Sequence, residues 1–216
     1  MIMQETGYTK FQVDWMRTPM FHHMLTNELA DWRCPLYDAG LIGWDRESGI
    51  GFGNLSARLG ASRRFVISGT QTGCLRRLGP EHFALVTSVD IAANRVVCHG
   101  PIQASSESMT HAELYALDAE IQAIVHVHSA QLWTALQHEL PSTATDVAYG
   151  TPAMAREFLR LYHETDFPER RIAVMRGHRD GLIAIGESIA EAALRILAYR
   201  DGCRPPLTAH QPDSRP

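Results

Sequence analysis

Residues 104–133 constrain the fold more than any other stretch, because a helical pattern there runs directly into a short apolar strand pattern. That strand ends in His126, Val127 and His128. Successive side chains of a strand point to opposite faces, so residues two apart share one face. His126 and His128 are therefore predicted to project side by side, at the spacing two imidazoles need to hold one metal ion. Two half-exposed strand histidines are the alternative, and the spacing alone does not decide between them.

The helical pattern before that strand adds a carboxylate. Glu107 and His111 are four residues apart, which makes them neighbours on one face of a helix. A carboxylate, the two strand imidazoles and a third imidazole can therefore meet at one site.

Length and charge exclude several classes of function. The chain has 216 residues and a mass of 24.1 kDa, and we expect one domain over residues 1–216, with a flexible arm at about 1–18 and a flexible tail at 204–216. A formal net charge of -4 gives no electrostatic reason to expect nucleic acid or an anionic membrane as a partner. No apolar run approaches the roughly 18 residues of a membrane span, and residues 1–10 lack the layout of a signal peptide.

The cysteines and the single lysine limit which catalytic mechanisms the chain can use. Cys34, Cys74, Cys98 and Cys203 form no CxxC pair, so neither a zinc knuckle nor a redox pair is indicated, and a reduced cytoplasmic location is expected. Lys10 is the only lysine in the chain. A Schiff-base mechanism must use that residue, and we therefore predict that imine chemistry is not used.

Apolar periodicity predicts a layered fold. Strands joined by short turns favour antiparallel pairing, and the helices are long enough to cover both faces of a sheet. The predicted fold class is α/β, a three-layer α/β/α sandwich with a mostly antiparallel central sheet. Pro35 is predicted to end or kink the first helix. Helices are predicted near residues 21–32, after 106, from Thr151 and from Ser188, and strands at 55–59, 65–68, 83–89, 96–99, 123–128, 172–175 and 182–185.

Three separated motifs together resemble the class II aldolase/adducin family. They are GNLSAR at residues 53–58, SGT at 68–70 and SSE at 105–107, the last followed by His111 and by the pair His126 and His128. With His178 as a fourth element, the resemblance spans about residues 25–199. Each motif is weak alone, whereas the set in this order and at these separations is fairly specific.

The resemblance implies a metal site and an acid/base. His126, His128 and His178 correspond to the zinc ligands, and Glu107 to the catalytic acid/base. Three neutral imidazoles leave Zn²⁺ an open position for substrate oxygens, where the metal acts as a Lewis acid. Mn²⁺, Co²⁺ and Fe²⁺ are alternative ions. A metal replaces the electron sink that an imine supplies, which agrees with the scarcity of lysine.

The resemblance also implies a seat for an anionic group of the substrate. A helix that starts near Ser105 directs free N–H groups and a positive dipole end at an anion. The serines are alternatively helix caps and the glycines turn residues, and a substrate carboxylate is an alternative to a phosphate. The implied phosphate-binding residues are Gly53, Asn54, Thr70, Ser105 and Ser106.

The expected function is that of a divalent-metal lyase of carbohydrate metabolism. It would cleave or form a C–C bond next to a carbonyl in a small hydroxylated substrate, with or without a phosphate, through a metal-stabilised enediolate. Decarboxylase, dehydratase and epimerase activities on the same site are alternatives; epimerases of this family carry aspartate where Glu107 stands. A non-haem Fe(II) oxygenase and a non-catalytic adducin-like interaction domain are alternatives from other classes. The resemblance further implies a homotetramer with sites at subunit interfaces.

Three departures from the family pattern bear on this hypothesis. The third histidine ligand of the family directly precedes a glycine, whereas two residues separate His178 from Gly181, which leaves His111, His138 and His163 as substitutes. Tyr149 is the only tyrosine near the segment where aldolases of this family place a catalytic tyrosine. Residues 44–50 are extra, and either reshape the mouth of the pocket or form a surface loop.

Overall fold

A computed structural model describes residues 9–20 and 23–202. The strands are β1 (Gln12–Arg17), β2 (Gly43–Asp45), β3 (Ile50–Phe52), β4 (Asn54–Arg58), β5 (Phe65–Ser68), β6 (Phe83–Asp90), β7 (Arg95–Gly100), β8 (Ala123–His128), β9 (Ile172–Met175) and β10 (Gly181–Gly186). The helices are α1 (Met24–Asp38), α2 (Ser108–Leu117), α3 (Ala130–Leu136), α4 (Pro152–Glu164), α5 (Phe167–Arg170) and α6 (Ile189–Arg200), with a short 3₁₀ turn at Pro80–His82.

One eight-stranded sheet forms the middle of the molecule, in the order β1-β7-β6-β5-β4-β8-β10-β9. Every neighbouring pair is antiparallel except β1 and β7, which run parallel. Strands β2 and β3 form a separate hairpin. The prediction of a mostly antiparallel central sheet is therefore confirmed.

Helices cover both faces of the sheet, which confirms the three layers. Alternate residues of β8 belong to different cores: Val125 packs with α1, α3 and α6, whereas Ile124 packs with α2, α4 and α5. A strand buried on both faces carries apolar side chains in both directions, as β8 does. His126 and His128 follow the period of Ile124, so both point toward the α2 side of the sheet.

Helix α1 does not end at its proline, the first of the two predicted effects of Pro35. Pro35 lies inside the helix, which continues to Asp38. The N–H of Ala39 donates to the carbonyl of Pro35, and the N–H of Gly40 donates to the carbonyl of Tyr37. Carbonyl groups of the last turn therefore have hydrogen-bond partners although the helix runs three residues past the proline. The predicted helix starts at Thr151 and Ser188 are both confirmed, and each hydroxyl caps its helix by accepting a hydrogen bond from the first turn.

The N-terminal segment departs from the expected flexible arm. Residues 12–17, assigned to a flexible arm, form β1 at the edge of the sheet, because their backbone pairs with β7. The expected tail at 204–216 lies outside the described residues. No helix within residues 9–20 and 23–202 has both the length and the apolar character needed to cross a bilayer.

Candidate active site

The end of β8 lies between two strands that also contribute to the site. His126 is paired with Asn54 on β4, and His128 is paired with Gly181 on β10. The turn that leads into β10 carries His178. The pairing of β8 with β10 therefore brings His178 close to His126 and His128.

The three histidines converge. His126, His128 and His178 each offer a ring nitrogen, and these nitrogens lie within 4.8 Å of one another. The Nδ1 atom of His126 lies 3.0 Å from the carbonyl oxygen of Leu182. If Nδ1 donates to that carbonyl, Nε2 keeps its lone pair, and it lies 3.2 Å from Nε2 of His128. This is a donor set for a divalent cation.

Burial keeps these imidazoles neutral. It lowers the pKa of His126 from 6.5 to about 4 and the pKa values of His128 and His178 well below 6.5. Neutral imidazole is the form that binds metal. Two buried polar atoms beside the triad, Nδ1 of His178 and Oε1 of Glu107, have no hydrogen-bond partner. The burial, the neutral donors and the unpaired atoms all fit a bound cation.

The β9–β10 turn accommodates the longer spacing between His178 and the following glycine. The amide of His178 donates to Met175 and the amide of Gly181 donates to His178, so five residues close the turn. Asp180 has a left-handed φ of 64°, which lets the chain re-enter β10. A side chain at Gly177 would overlap the carbonyl oxygen of Val147, so this turn packs closely on the next loop.

The substitutes for the third histidine lie elsewhere. His111 is fully buried, but its Nδ1 lies 2.7 Å from the Ser56 hydroxyl, which in turn lies 2.7 Å from the Tyr115 hydroxyl. His138 and His163 are exposed. His178 is the candidate that the structure places with His126 and His128.

Glu107 stands beside the triad at the start of α2. Its side chain is buried, and Oε2 accepts a hydrogen bond of 3.0 Å from the Thr110 hydroxyl. Oε1 lies 3.4 Å from Nδ1 of His178 without a hydrogen bond. Burial raises the pKa of Glu107 to about 7, opposed by the Thr110 hydrogen bond and the charge of Lys10. A carboxyl group with this pKa can both release and accept a proton near neutral pH.

A cleft of about 710 Å³ opens over the triad and Glu107. All nine residues predicted for the site line it: Gly53, Asn54, Thr70, Ser105, Ser106, Glu107, His126, His128 and His178. Ser105 has a structural task as well, because its hydroxyl accepts a 3.4 Å bond from the amide of Glu107. Gly53 has φ 79° and lies against Ile42, where a Cβ atom would come within 2.7 Å of that side chain.

The extra residues of the sequence shape the mouth of this cleft. They form the β2–β3 hairpin, and Asp45, Glu47 and Ser48 line the cleft. Phe52, which follows, places its ring 5.4 Å from that of His128. Of the two interpretations of residues 44–50, the structure supports the first.

Two residues that were not predicted to belong to the site, Tyr149 and Lys10, lie beside it. Tyr149 stacks on His178, with ring centroids 4.2 Å apart and planes 19° from parallel. The ammonium of Lys10 lies 3.6 Å from the centre of the Tyr149 ring. Both contacts join segments far apart in sequence, so no local pattern indicates them. The lysine therefore lies close to the candidate site rather than in a remote arm.

A known protein family matches most of the chain. A sequence profile described as the class II aldolase and adducin N-terminal domain matches residues 42–205. The chain belongs to the class II aldolase/adducin family. The family resemblance found in the motifs is thus confirmed. A comparison of the chain with curated protein sequences found no match.

Solved structures share the fold. L-fuculose-1-phosphate aldolase from Thermus thermophilus is 25% identical, with a TM-score of 0.52, over 85% of this chain and 98% of that chain. YgbL from Klebsiella pneumoniae, proposed to be an aldolase, epimerase or decarboxylase, is 20% identical with a TM-score of 0.60, over 82% and 85% of the two chains. A further L-fuculose 1-phosphate aldolase is 19% identical with a TM-score of 0.61, over 90% and 93%.

Proposed function

We propose that this class II aldolase/adducin family member is a zinc-dependent lyase. It cleaves or forms a C–C bond next to a carbonyl in a small hydroxylated substrate that carries an anionic group. The observation that carries this proposal is the convergence of three imidazoles, two buried and that of His128 half-buried, with ring nitrogens within 4.8 Å of one another, beside the buried carboxyl group of Glu107.

His126, His128 and His178 hold the ion in this proposal. A zinc ion held by these three imidazoles would supply Lewis-acid polarisation of a carbonyl. The carbonyl of Leu182 orients His126 by accepting from its Nδ1, and the stacked ring of Tyr149 orients His178. Ligands held this way keep their lone pairs directed at one point.

Glu107 moves the proton. Its Oε1 is buried and free of hydrogen bonds, 3.4 Å from Nδ1 of His178, and is therefore available to accept a proton at the site. Burial sets its pKa at about 7, and a cation nearby lowers that pKa, so the carboxylate form is available as a base. Thr110 holds the other oxygen and fixes the orientation of the carboxyl group. Glu107 accepts a proton from the hydroxyl or carbon next to the carbonyl and returns it later.

In this proposal the anionic group of the substrate is bound by a second set of residues that line the cleft. Gly53, Asn54, Thr70, Ser105 and Ser106 line the cleft and offer amide, hydroxyl and backbone donors. The donors are neutral, so they orient an anion without binding it by charge alone. A phosphate or a carboxylate satisfies this chemistry.

An assay of aldehyde release tests the proposal. Purified protein, loaded with zinc, is incubated with a panel of phosphorylated and unphosphorylated hydroxy-carbonyl compounds and with hydroxy acids. We expect aldehyde release from at least one compound, lost on chelation with EDTA and restored by zinc. Release of carbon dioxide or loss of water instead would assign the site to a decarboxylase or a dehydratase. One equivalent of iron with oxygen-dependent turnover would contradict the lyase proposal in favour of an oxygenase.

Assembly and location are part of the same proposal. We place the protein in the cytoplasm as a homotetramer. The large apolar side chains of Trp15, Met16 and Met24 are exposed, which supports burial in an assembly. Cys34 and Cys74 are free thiols, as a reducing compartment allows. Analytical ultracentrifugation tests the assembly, and a monomer at micromolar concentration would contradict it.

A further inference from the structure

Residues 69–75 form the loop of the cleft wall that contains Thr70. The loop leaves the sheet at Gly69, whose amide donates to His82, and is tied further by a 2.9 Å bond from the amide of Thr70 to Gln103. The next residue, Gln71, has a left-handed φ of 59°, a conformation that costs a non-glycine residue energy. A loop with this backbone needs support from its surroundings.

Arg33 supplies support from behind. This arginine of α1 is completely buried, and its guanidinium donates to three carbonyls of the loop. The distances are 2.7 Å from Nε to the Leu75 oxygen, 2.7 Å from Nη2 to the Thr72 oxygen and 3.2 Å from Nη2 to the Gly73 oxygen. One fork-shaped side chain therefore fixes the loop backbone at three of its carbonyls.

The same loop is covered on its other side by the β2–β3 hairpin. The amide nitrogen of Gly73 would lie 3.0 Å from a Cβ atom at Gly51, and a Cβ atom at Gly73 would overlap Gly43 and Gly51. The hairpin and the loop touch backbone to backbone. Arg33 and the hairpin together hold the loop in a single position, in which residues 69–73 line the cleft.

The charge of Arg33 has no acidic partner in the described part of the chain. The ionisable groups that act on it are Tyr37, Cys74 and Cys34, and its Nη1 makes no hydrogen bond. Burial lowers the pKa of Arg33 to about 10, so it stays protonated at neutral pH. Burying a cation without a carboxylate is costly, and backbone carbonyls recover only part of that cost. A positive charge behind a cleft wall is useful where an anion binds in front of it.

We propose that Arg33 is a positioning residue, which holds residues 69–75 and thereby fixes the Thr70 side of the seat of the anionic group of the substrate, and which places a permanent positive charge behind that side. This inference rests on the proposed function, which puts a phosphate or a carboxylate beside Thr70. Arg33 touches the loop and acts on the substrate through it.

Arg58 offers a matched control. It is also buried and also binds backbone carbonyls, with Nε donating to Ile121 at 2.8 Å and Nη2 donating to Tyr115 and Asp118 at 2.6 Å. It stands at the end of β4 away from Asn54 and does not line the cleft. Substitution of either arginine removes comparable hydrogen bonds, but only one of the two lies behind the loop.

Isothermal titration calorimetry of the zinc-loaded full chain, with inorganic phosphate and separately with acetate, tests the inference. The probe that binds wild type more tightly identifies the source of the anionic group. We expect Arg33→Lys to weaken that binding about tenfold or more, because lysine keeps the charge and loses the fork. Arg33→Gln, which loses the charge as well, is expected to weaken it further. Arg58→Lys is expected to change it less than about twofold while lowering the melting temperature similarly.

Three results would overturn the inference. They are binding of neither probe to wild type, wild-type affinity in Arg33→Lys, or an equal loss in the variants of Arg33 and Arg58. Zinc content measured on the same samples distinguishes failure of this inference from failure of the proposed function. Wild type without metal would contradict the lyase proposal, whereas the phosphate and acetate affinities would still decide the role of Arg33.

Discussion

Tyr149 lies flat on His178, with ring centroids 4.2 Å apart and planes 19° from parallel, and the Lys10 ammonium lies 3.6 Å from the same tyrosine ring. An aromatic ring stacked on an imidazole restricts the rotation of that imidazole. His178 sits in a turn rather than on a strand, so it depends on such contacts for its orientation.

Replacing Tyr149 should therefore weaken the metal site without removing a ligand. We expect Tyr149→Ala to raise the Kd for zinc about tenfold, the size of effect typical of groups that orient metal ligands. Tyr149→Phe keeps the stacked ring and should bind zinc like wild type. Competition against a chromophoric chelator measures both. Equal zinc affinity in wild type and Tyr149→Ala would show that the stack does not hold His178.

Glu107→Gln should separate metal binding from turnover. The amide keeps the shape and cannot shuttle the proton, so we expect activity to fall at least about 100-fold with full zinc content. Glu113→Gln, on the same helix but away from the cleft, is the control and should remain active. Turnover and zinc are measured on the same preparations. A fully active Glu107→Gln would refute the acid/base assignment.

Stability in the absence of metal should depend on pH through the buried histidines. Burial holds the pKa of His111 well below its ordinary 6.5, so the unfolded chain binds its proton more readily than the folded chain does. The contribution of the buried histidines to the free energy of unfolding should be largest above pH 6.5 and fall below it, by up to ~1.4 kcal/mol per pH unit for each such histidine, while Glu107, with its raised pKa, contributes in the opposite direction.

Urea unfolding of chelator-treated protein between pH 7.5 and 5 measures this slope. His111→Gln should make it shallower, whatever its effect on stability at pH 7.5. An unchanged slope in His111→Gln would mean that burial of this ring is not coupled to protonation.

Gly53 should tolerate no side chain. It combines φ 79° with contact to Ile42, whereas Gly40 has φ 72° and no atom within 4 Å of the position that a Cβ atom would occupy. We expect Gly40→Ala to cost about 1 kcal/mol for its left-handed backbone, and Gly53→Ala about 1–3 kcal/mol more for overlap with Ile42. Chemical denaturation compares them. Equal costs would show that Ile42 moves aside freely.

The pair of strand histidines could be predicted from sequence because it depends on a local rule. Alternation along β8 sends His126 and His128 to one face, and apolar neighbours bury both faces. The layered fold followed from the same periodicities. His178 is different, because nothing local ties a residue of the β9–β10 turn to a strand about fifty positions earlier, and it was assigned only through the family resemblance.

Other features depend on contacts that sequence patterns do not encode. Strand β1 joins the sheet by parallel pairing with β7, more than eighty residues away, and most of its side chains are exposed. Arg33 looks like an ordinary polar residue of an amphipathic helix until residues 69–75 fold over it. Tyr149 and Lys10 meet at His178 from two distant segments. Such contacts are consequences of the completed fold.

Metal analysis of wild type and His128→Ala by mass spectrometry, after dialysis against zinc and then against metal-free buffer, tests the proposed three-histidine site most directly. We predict close to one zinc per chain in wild type and almost none in His128→Ala, since two imidazoles cannot retain the ion. Wild type without metal, or His128→Ala with a full equivalent, would contradict the proposal.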